Sequence, residues 1–265
     1  MTSEKWWDVS WNPMTGCSPV SEACEHCYAE GMARRFWKPV AGKPSYPFEP
    51  TFHPERLDQP LHWRRPRRVF VCSMSDLFHE AFTDEQIGGV FDMFDTTMRH
   101  TFMVLTKRPE RARELLTRWH TDPAGRKPTP VNLWLGVTAE NQQRADERIP
   151  ILLDTPAAVR FVSIEPMLSA ADLRPWLAPT VSWPKTNRPK LDWVILGGET
   201  GPGARPMQPE WALDVYRQCR EAGVPLFFKK WGSGKQADDE LLRPAQIREL
   251  QAMAATREFP GAGDE

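Results

Sequence analysis

The feature that most restricts how this chain can fold is a rhythm of short apolar runs, each stopping in polar, charged or glycine residues. Residues 5–12, Lys-Trp-Trp-Asp-Val-Ser-Trp-Asn, open the series. Val69-Phe-Val-Cys72 empties into Ser73-Met-Ser75-Asp76, and Thr101-Phe-Met-Val-Leu105 into Thr106-Lys107-Arg108. Val131–Val137 ends in Thr138-Ala-Glu140-Asn141, and Ala158–Ile164 in Glu165-Pro166. Leu191–Leu196 ends in Gly197-Gly198-Glu199-Thr200, and Pro225–Phe228 in Lys229-Lys230. Such runs read as strands. Helical patterns separate them: about 29–36, about 83–99, a stretch through Trp119, one to about Leu153, a short one at 170–177, then 209–222 and about 243–256. Thr83-Asp-Glu-Gln86 has the form of a capping box, and Gly223 is a helix stop. Strands alternating with helices imply an α/β fold with a parallel sheet, closing as a full or partial (β/α) barrel. In such folds ligands bind at the carboxyl ends of the strands, so the residues that terminate the runs are the candidate site.

The chain has 265 residues, enough for one sizeable core. We expect one barrel domain over 1–232, with 37–68 as a long inserted loop carrying a short helix near 54–59. Residues 120–130 and 178–190 read as further loops, and 233–265 as a helix and loose acidic tail. No apolar run approaches the ~18 residues of a membrane span. No secretory signal opens the chain, and a cytoplasmic setting is expected. Formal net charge is −1, which gives no global attraction to nucleic acid. Any basic surface must be local. Arg64, Arg65, Arg67 and Arg68 form such a run, read either as a solvated approach to a strand or as a phosphate contact. No P-loop, dinucleotide fingerprint or Ser-His-Asp signature stands out.

Cys17-Ser-Pro-Val-Ser-Glu-Ala-Cys24-Glu-His-Cys27 puts three of the five cysteines on eleven residues, between a strand end and a helix start. A disulfide leaves one thiol over, and clustered cysteines in a reducing setting bind metal or do redox chemistry. Structural zinc closes with four ligands. His26 sits too tightly between Cys24 and Cys27 to turn onto the same ion, so His53, His62 or His79 would have to arrive from afar. An iron–sulfur cluster on three thiolates leaves one iron open to a small molecule. Cluster, zinc staple and unliganded thiols all remain open on the residues alone. Cys72, at a strand end, reads as a core residue or a hydrogen-atom donor, and Cys219 as packing.

The C-x6-C-x2-C motif resembles that of the radical S-adenosylmethionine (SAM) superfamily, whose usual spacing is C-x3-C-x2-C with an aromatic before the last cysteine. The x2 half matches, with His26 in the aromatic's place, while the first gap is longer. A closer resemblance is to a phage- and prophage-linked family of uncharacterised proteins, grouped with radical SAM enzymes and related to spore photoproduct lyase-type proteins. The segments that carry it are WNPMTGCSPVSEACEHCYAE, VFVCSMSDLFHE, VLTKRPER, LGVTAENQQRADERIPILL, RFVSIEPML, WVILGGETGPGARPM and FFKKWG, from about residue 6 to 232.

The resemblance implies a partial barrel carrying a 4Fe-4S cluster on Cys17, Cys24 and Cys27, with SAM chelating the open iron and cleaved reductively to a 5′-deoxyadenosyl radical. It implies an electron donor of flavodoxin or ferredoxin type, and admits a partner protein encoded nearby. His26 and Tyr28, flanking the last cysteine, would lie against the cofactor. Ser73, Ser75 or Asp76 would meet the SAM amino group, and Glu140 or Asn141 the ribose. Gly197, Gly198 and Glu199 would let backbone approach adenine. Glu165, Lys107 and Cys72 are the candidate catalytic residues. Plainer readings stand beside these: Glu140 favours a helix start, Asp76 caps a turn, Gly197-Gly198 makes a strand-to-loop turn, and Lys107 and Arg108 form surface ion pairs. A nucleic acid base or nucleotide is the expected substrate, and a peptide, a small metabolite or a non-enzymatic zinc-stapled binding domain the alternatives.

Overall fold

The computed structural model describes residues 5–36, 47–121, 129–178, 189–234 and 244–261. Most of the expected loops at 120–130 and 178–190, the first part of the 37–68 insertion and the last four residues of the tail lie outside the described residues.

Seven strands form the main sheet: β1 (Val9–Trp11), β4 (Arg68–Val71), β5 (Thr101–Thr106), β6 (Leu133–Thr138), β7 (Val159–Ile164), β8 (Trp193–Gly197) and β9 (Leu226–Lys230). Their order is β1-β4-β5-β6-β7-β8-β9, so the sheet runs in chain order and β1 and β9 are its edges. The registers of β1 with β4, β4 with β5, β7 with β8 and β8 with β9 are parallel. A sequential, unclosed parallel order with helical crossovers is the topology of a partial (β/α) barrel, as the run-and-helix rhythm predicts. The helices are α1 (Tyr28–Phe36), α2 (Asp84–Thr96), α3 (Pro109–His120), α4 (Gln142–Leu153), α5 (Arg174–Leu177), α6 (Pro209–Ala222) and α7 (Pro244–Ala255). No helix among the described residues is long and apolar enough to cross a membrane.

The chain divides into two compact units. One contains Trp7–Gly136 with Thr155–Ala158; the other contains Val137–Asp154, the chain from Val159 onward and the segment ending at Trp6. The first unit packs around aromatics. Phe94 of α2 stacks on Phe102 of β5 at 4.2 Å, and Trp11 meets Phe102 at 5.9 Å. Burying these rings contributes about 2–3 kcal/mol apiece. The second unit is centred on Trp193, which meets Trp6, Phe161 and Phe227 edge-on or tilted, with ring centroids within 6.3 Å.

Four features depart from the sequence reading. The first strand spans three residues rather than eight, because Trp6 enters the aromatic cluster of the second unit instead of pairing. The Pro-Met-Thr-Gly stretch, whose proline and glycine suit a turn, makes a strand of its own. Here β2 (Met14–Thr15) pairs antiparallel with β3 (Thr51–Phe52), inside the supposed long loop. The helix expected near 54–59 is two short 3-10 turns, Pro54–Arg56 and Gln59–His62. In the tail, Arg257 bridges antiparallel to Phe227, Phe228 N–H donates to Thr256 O, and Glu258 N–H donates to Leu226 O. Residues 256–259 of the expected tail therefore dock on β9 through Phe259, whose ring lies 5.3 Å from that of Trp193.

Candidate functional site

In the first unit the cysteine segment hangs between two fixed ends. Gly16 has φ +83, and a Cβ there would stand 2.1 Å from Glu49 O. Only glycine passes this crossing. Gly16 N–H donates to Met74 O, Ser75 Oγ donates to Gly16 O at 2.6 Å, and Cys17 N–H donates to Phe48 O. At the far end Cys27 immediately precedes α1, its carbonyl accepting from Gly31 N–H at 3.0 Å. Cys17, Cys24 and Cys27 are free thiols of intermediate exposure. Among the described residues no three His, Cys, Asp or Glu side chains are gathered closely enough to hold an ion.

Arg108, at the end of β5, is the hub beneath Cys17. It is 5 % exposed. Its Nη1 donates to Cys17 Sγ at 3.4 Å and to Asp76 Oδ2 at 3.5 Å. Its Nη2 donates to Ser18 O and Ser18 Oγ, and its Nε to both oxygens of Glu80 at 2.9 and 3.0 Å. Burial alone would lower its pKa, but Asp76, Cys17 and Glu80 together hold it above its ordinary value. Burial pushes the Cys17 thiol up and the Asp76 charge adds to this, while Arg108 opposes both. Asp76 aims this guanidinium. Its Oδ1 accepts from Phe78 N–H at 3.0 Å and Thr106 Oγ at 2.7 Å, and its Oδ2 from Lys107 N–H at 2.9 Å. His79 completes the frame. Its Nδ1 accepts from Ala81 N–H, so the ring is a neutral Nε2–H donor to Ser18 Oγ at 2.8 Å. Burial, then the charge of Arg108, lowers its pKa and favours that neutral form.

In the second unit the polar strand ends form two distinct arrangements. Glu140, after β6, is wholly buried; its Oε2 accepts from Arg148 Nη1 at 2.9 Å, and its Oε1 has no hydrogen-bond partner. A buried carboxylate oxygen with no donor is costly. Glu165, after β7, accepts from Lys229 Nζ at 2.5 Å. Lys229 owes this reach to an irregularity of register: Leu196 pairs with Phe228, but Gly197 pairs with Lys230. The extra residue re-aims its side chain, as bulges do. Gly197 lies against the pair, where a Cβ would stand 3.4 Å from Lys229 Cβ and 3.5 Å from Glu165 Cδ.

A family model described as a protein of unknown function, DUF5131, matches residues 1–262. The chain belongs to the DUF5131 family. It matches no curated protein and no solved structure.

Within this DUF5131 chain, the residues predicted from sequence divide by what they touch. Ser73 Oγ donates to Asn12 Oδ1, which also accepts from Met74 N–H, so Asn12 orients the Ser73–Ser75 turn. Asn141 Oδ1 accepts from Arg144 N–H and caps α4. Glu199 is saturated by Arg205, through the backbone N–H, Nε and Nη2. Gly198 is required by a backbone crossing, since a Cβ would stand 1.9 Å from Trp231 O. Cys72 is buried just beyond β4 in a left-handed conformation (φ 56), and burial raises its thiol pKa. A hydrogen-atom donor there is reached only if substrate enters the core. His26 and Tyr28 are both exposed. The imidazoles named as distant zinc ligands are engaged elsewhere: His53 with Thr15 Oγ, His62 with Asp58 and His79 with Ser18. Sequence reasoning passed over Asn12, Ser18 and Glu80, and read Arg108 without its hub role.

Proposed function

We propose that this protein is an iron–sulfur, SAM-dependent radical enzyme acting on a nucleic acid base or nucleotide. The observation that supports it is the cysteine segment: three free thiols pinned between Gly16 and α1, the first gripped by a buried guanidinium. The donor set suits three-thiolate ligation. Arg108 Nη1 donates to Cys17 Sγ, Cys27 immediately precedes α1, and His53, His62 and His79, which a four-ligand zinc site would need, are bonded to Thr15, Asp58 and Ser18. Cys17, Cys24 and Cys27 would hold the cluster, which when bound supplies the electron that cleaves SAM. Asp76 and Glu80 fix the Arg108 fork, so Cys17 is presented in one orientation. Within the second unit, the Glu165–Lys229 pair would hold or move a proton at a nearby polar group.

Anaerobic reconstitution tests this directly. Iron and sulfide would be assayed, and the reduced protein examined by electron paramagnetic resonance before and after SAM. About four irons per chain and a SAM-perturbed signal are expected, both lost in Cys24→Ala. One tightly held zinc, no sulfide and no response to SAM would sink the reading.

A further inference from the structure

At the opposite ends of the strands from the cysteine segment, the first unit carries a second polar surface. Arg64, Arg65 and Arg67 lie within four residues before β4, and Arg99 lies two residues before β5. The two strands pair with Arg68 opposite Thr101, so these arginines stand at adjacent amino ends. All four are exposed.

Arg68, Arg108, Arg111 and Arg118 in the same unit each hold a carboxylate. No carboxylate among the described residues pairs with Arg64, Arg65, Arg67 or Arg99. Asp8, the acid beside Arg67, spends both oxygens on the Arg68 side chain and backbone. His62 is taken by Asp58. The segment is nonetheless held in place. Arg99 donates to the carbonyls of Pro60, Leu61 and Trp63, and His100 bonds to Pro60 O. Pro66 restricts the backbone between Arg65 and Arg67. Arg67 and Arg99 both depress the pKa of the buried His100, after burial itself, so their fields overlap. Half-buried Trp63 sits among them, edge-on to His100 at 5.7 Å.

Like charges gathered on a rigid turn repel one another, and a chain with formal charge −1 has carboxylates to spare. Leaving guanidinium forks unpaired suits a phosphate-rich partner, whose oxygens they match in pairs. A neighbouring indole suits an unstacked base. We infer that Arg64, Arg65, Arg67 and Trp63 form a docking surface for single-stranded nucleic acid, separate from the cysteine segment. The strand's phosphates lie on the arginines and a base stacks on Trp63. β4 is four residues long, so this surface stands about 10 Å or more from the Cys72 end. It holds the polymer without touching the chemistry. The inference deepens the proposed nucleic acid substrate and names where its backbone is gripped.

The test is fluorescence anisotropy with a labelled mixed-sequence oligonucleotide of about 16 nucleotides, DNA and RNA, between about 50 and 200 mM salt. The protein with Arg64→Ala, Arg65→Ala and Arg67→Ala should bind at least about tenfold more weakly, with a salt slope shallower by about 2. Removing the same charge elsewhere, by Arg113→Ala, Arg118→Ala and Arg248→Ala, should change affinity less than about twofold. Trp63→Ala should weaken binding without altering the salt slope. Equal loss in both triple variants, or no binding by the unaltered protein, overturns the inference. So does arginine-dependent binding to anionic phospholipid vesicles with none to oligonucleotide. Iron content and the SAM-perturbed signal are measured on the same triple variant and should not change. Binding without a cluster sinks the radical reading alone; a cluster without binding sinks the docking surface alone.

Discussion

At Gly16, positive φ coincides with a backbone approach that leaves no room for a methyl group, and the first cysteine follows directly. Gly16→Ala should cost about 2 kcal/mol or more in urea unfolding, with loss of iron uptake on reconstitution. Arg108 is the opposite case, a buried charge whose worth lies in its partners. Arg108→Gln leaves Asp76 buried with its ionic partner gone, and should cost about 3 kcal/mol. Arg108→Lys should rescue little, because an ammonium cannot span Cys17, Ser18, Asp76 and Glu80. His100 gives the pH dependence. Burial lowers its pKa below 6.5, opposed by its bond to Pro60 O and assisted by Arg99 and Arg67. The unfolded chain then takes up the proton first. The stability at stake is fully present above about pH 6.5 and is lost as pH falls toward the folded-state value. Melting curves between about pH 7 and 5 should fall more steeply for the unaltered protein than for His100→Gln.

The helices follow their own sequences closely, because their ends are set by local chemistry. The capping box is formed as Thr83-Asp-Glu-Gln86 predicts, with Thr83 Oγ accepting from Gln86 N–H and Gln86 Oε1 from Thr83 N–H. The stretch read from Pro209 to Ala222 is α6 itself, ended by Gly223 at φ 62. Asn141 caps α4 in the same local way, and this separates its two readings. Asn141→Ala should lose about 1 kcal/mol of stability, and Asn141→Asp should restore it. If SAM affinity follows stability across the two variants, Asn141 acts as a cap alone. Strands are less local. The reach of Lys229 to Glu165 depends on a slipped register between β8 and β9, and nothing in Phe-Phe-Lys-Lys-Trp shows a slip. Under the proposed function, Lys229→Met should abolish turnover while leaving the melting temperature within a few degrees, since the pair is partly solvated.

Across the whole molecule, the C-terminal segment shows how far a local reading misleads. Residues 256–261 look polar and terminal, yet Trp193 Nε1 donates to Glu258 O at 2.8 Å, and Phe259 packs on both Trp193 and Phe227. The segment covers the β9 edge, which is otherwise open to another chain. A chain ending at Gly234 should show red-shifted tryptophan emission and associate at micromolar concentration in sedimentation velocity, while the full chain should not.

The sequence by itself determined the parallel order of strands and helices, the helix ends, the three-cysteine segment and the polar residues that close each strand. These are written in composition and periodicity, which act over a few residues. Only the tertiary structure decided what those polar residues do. It committed Asp76 to orienting Arg108, Glu199 to Arg205 and Asn141 to a cap, while Glu140 kept an unbonded oxygen. Thr106, Asp76, Arg108 and Cys17 meet across as many as 91 positions of chain. A side chain's partners at that separation are set by strand register and burial, and one-residue shifts in either exchange a ligand-facing group for a structural one.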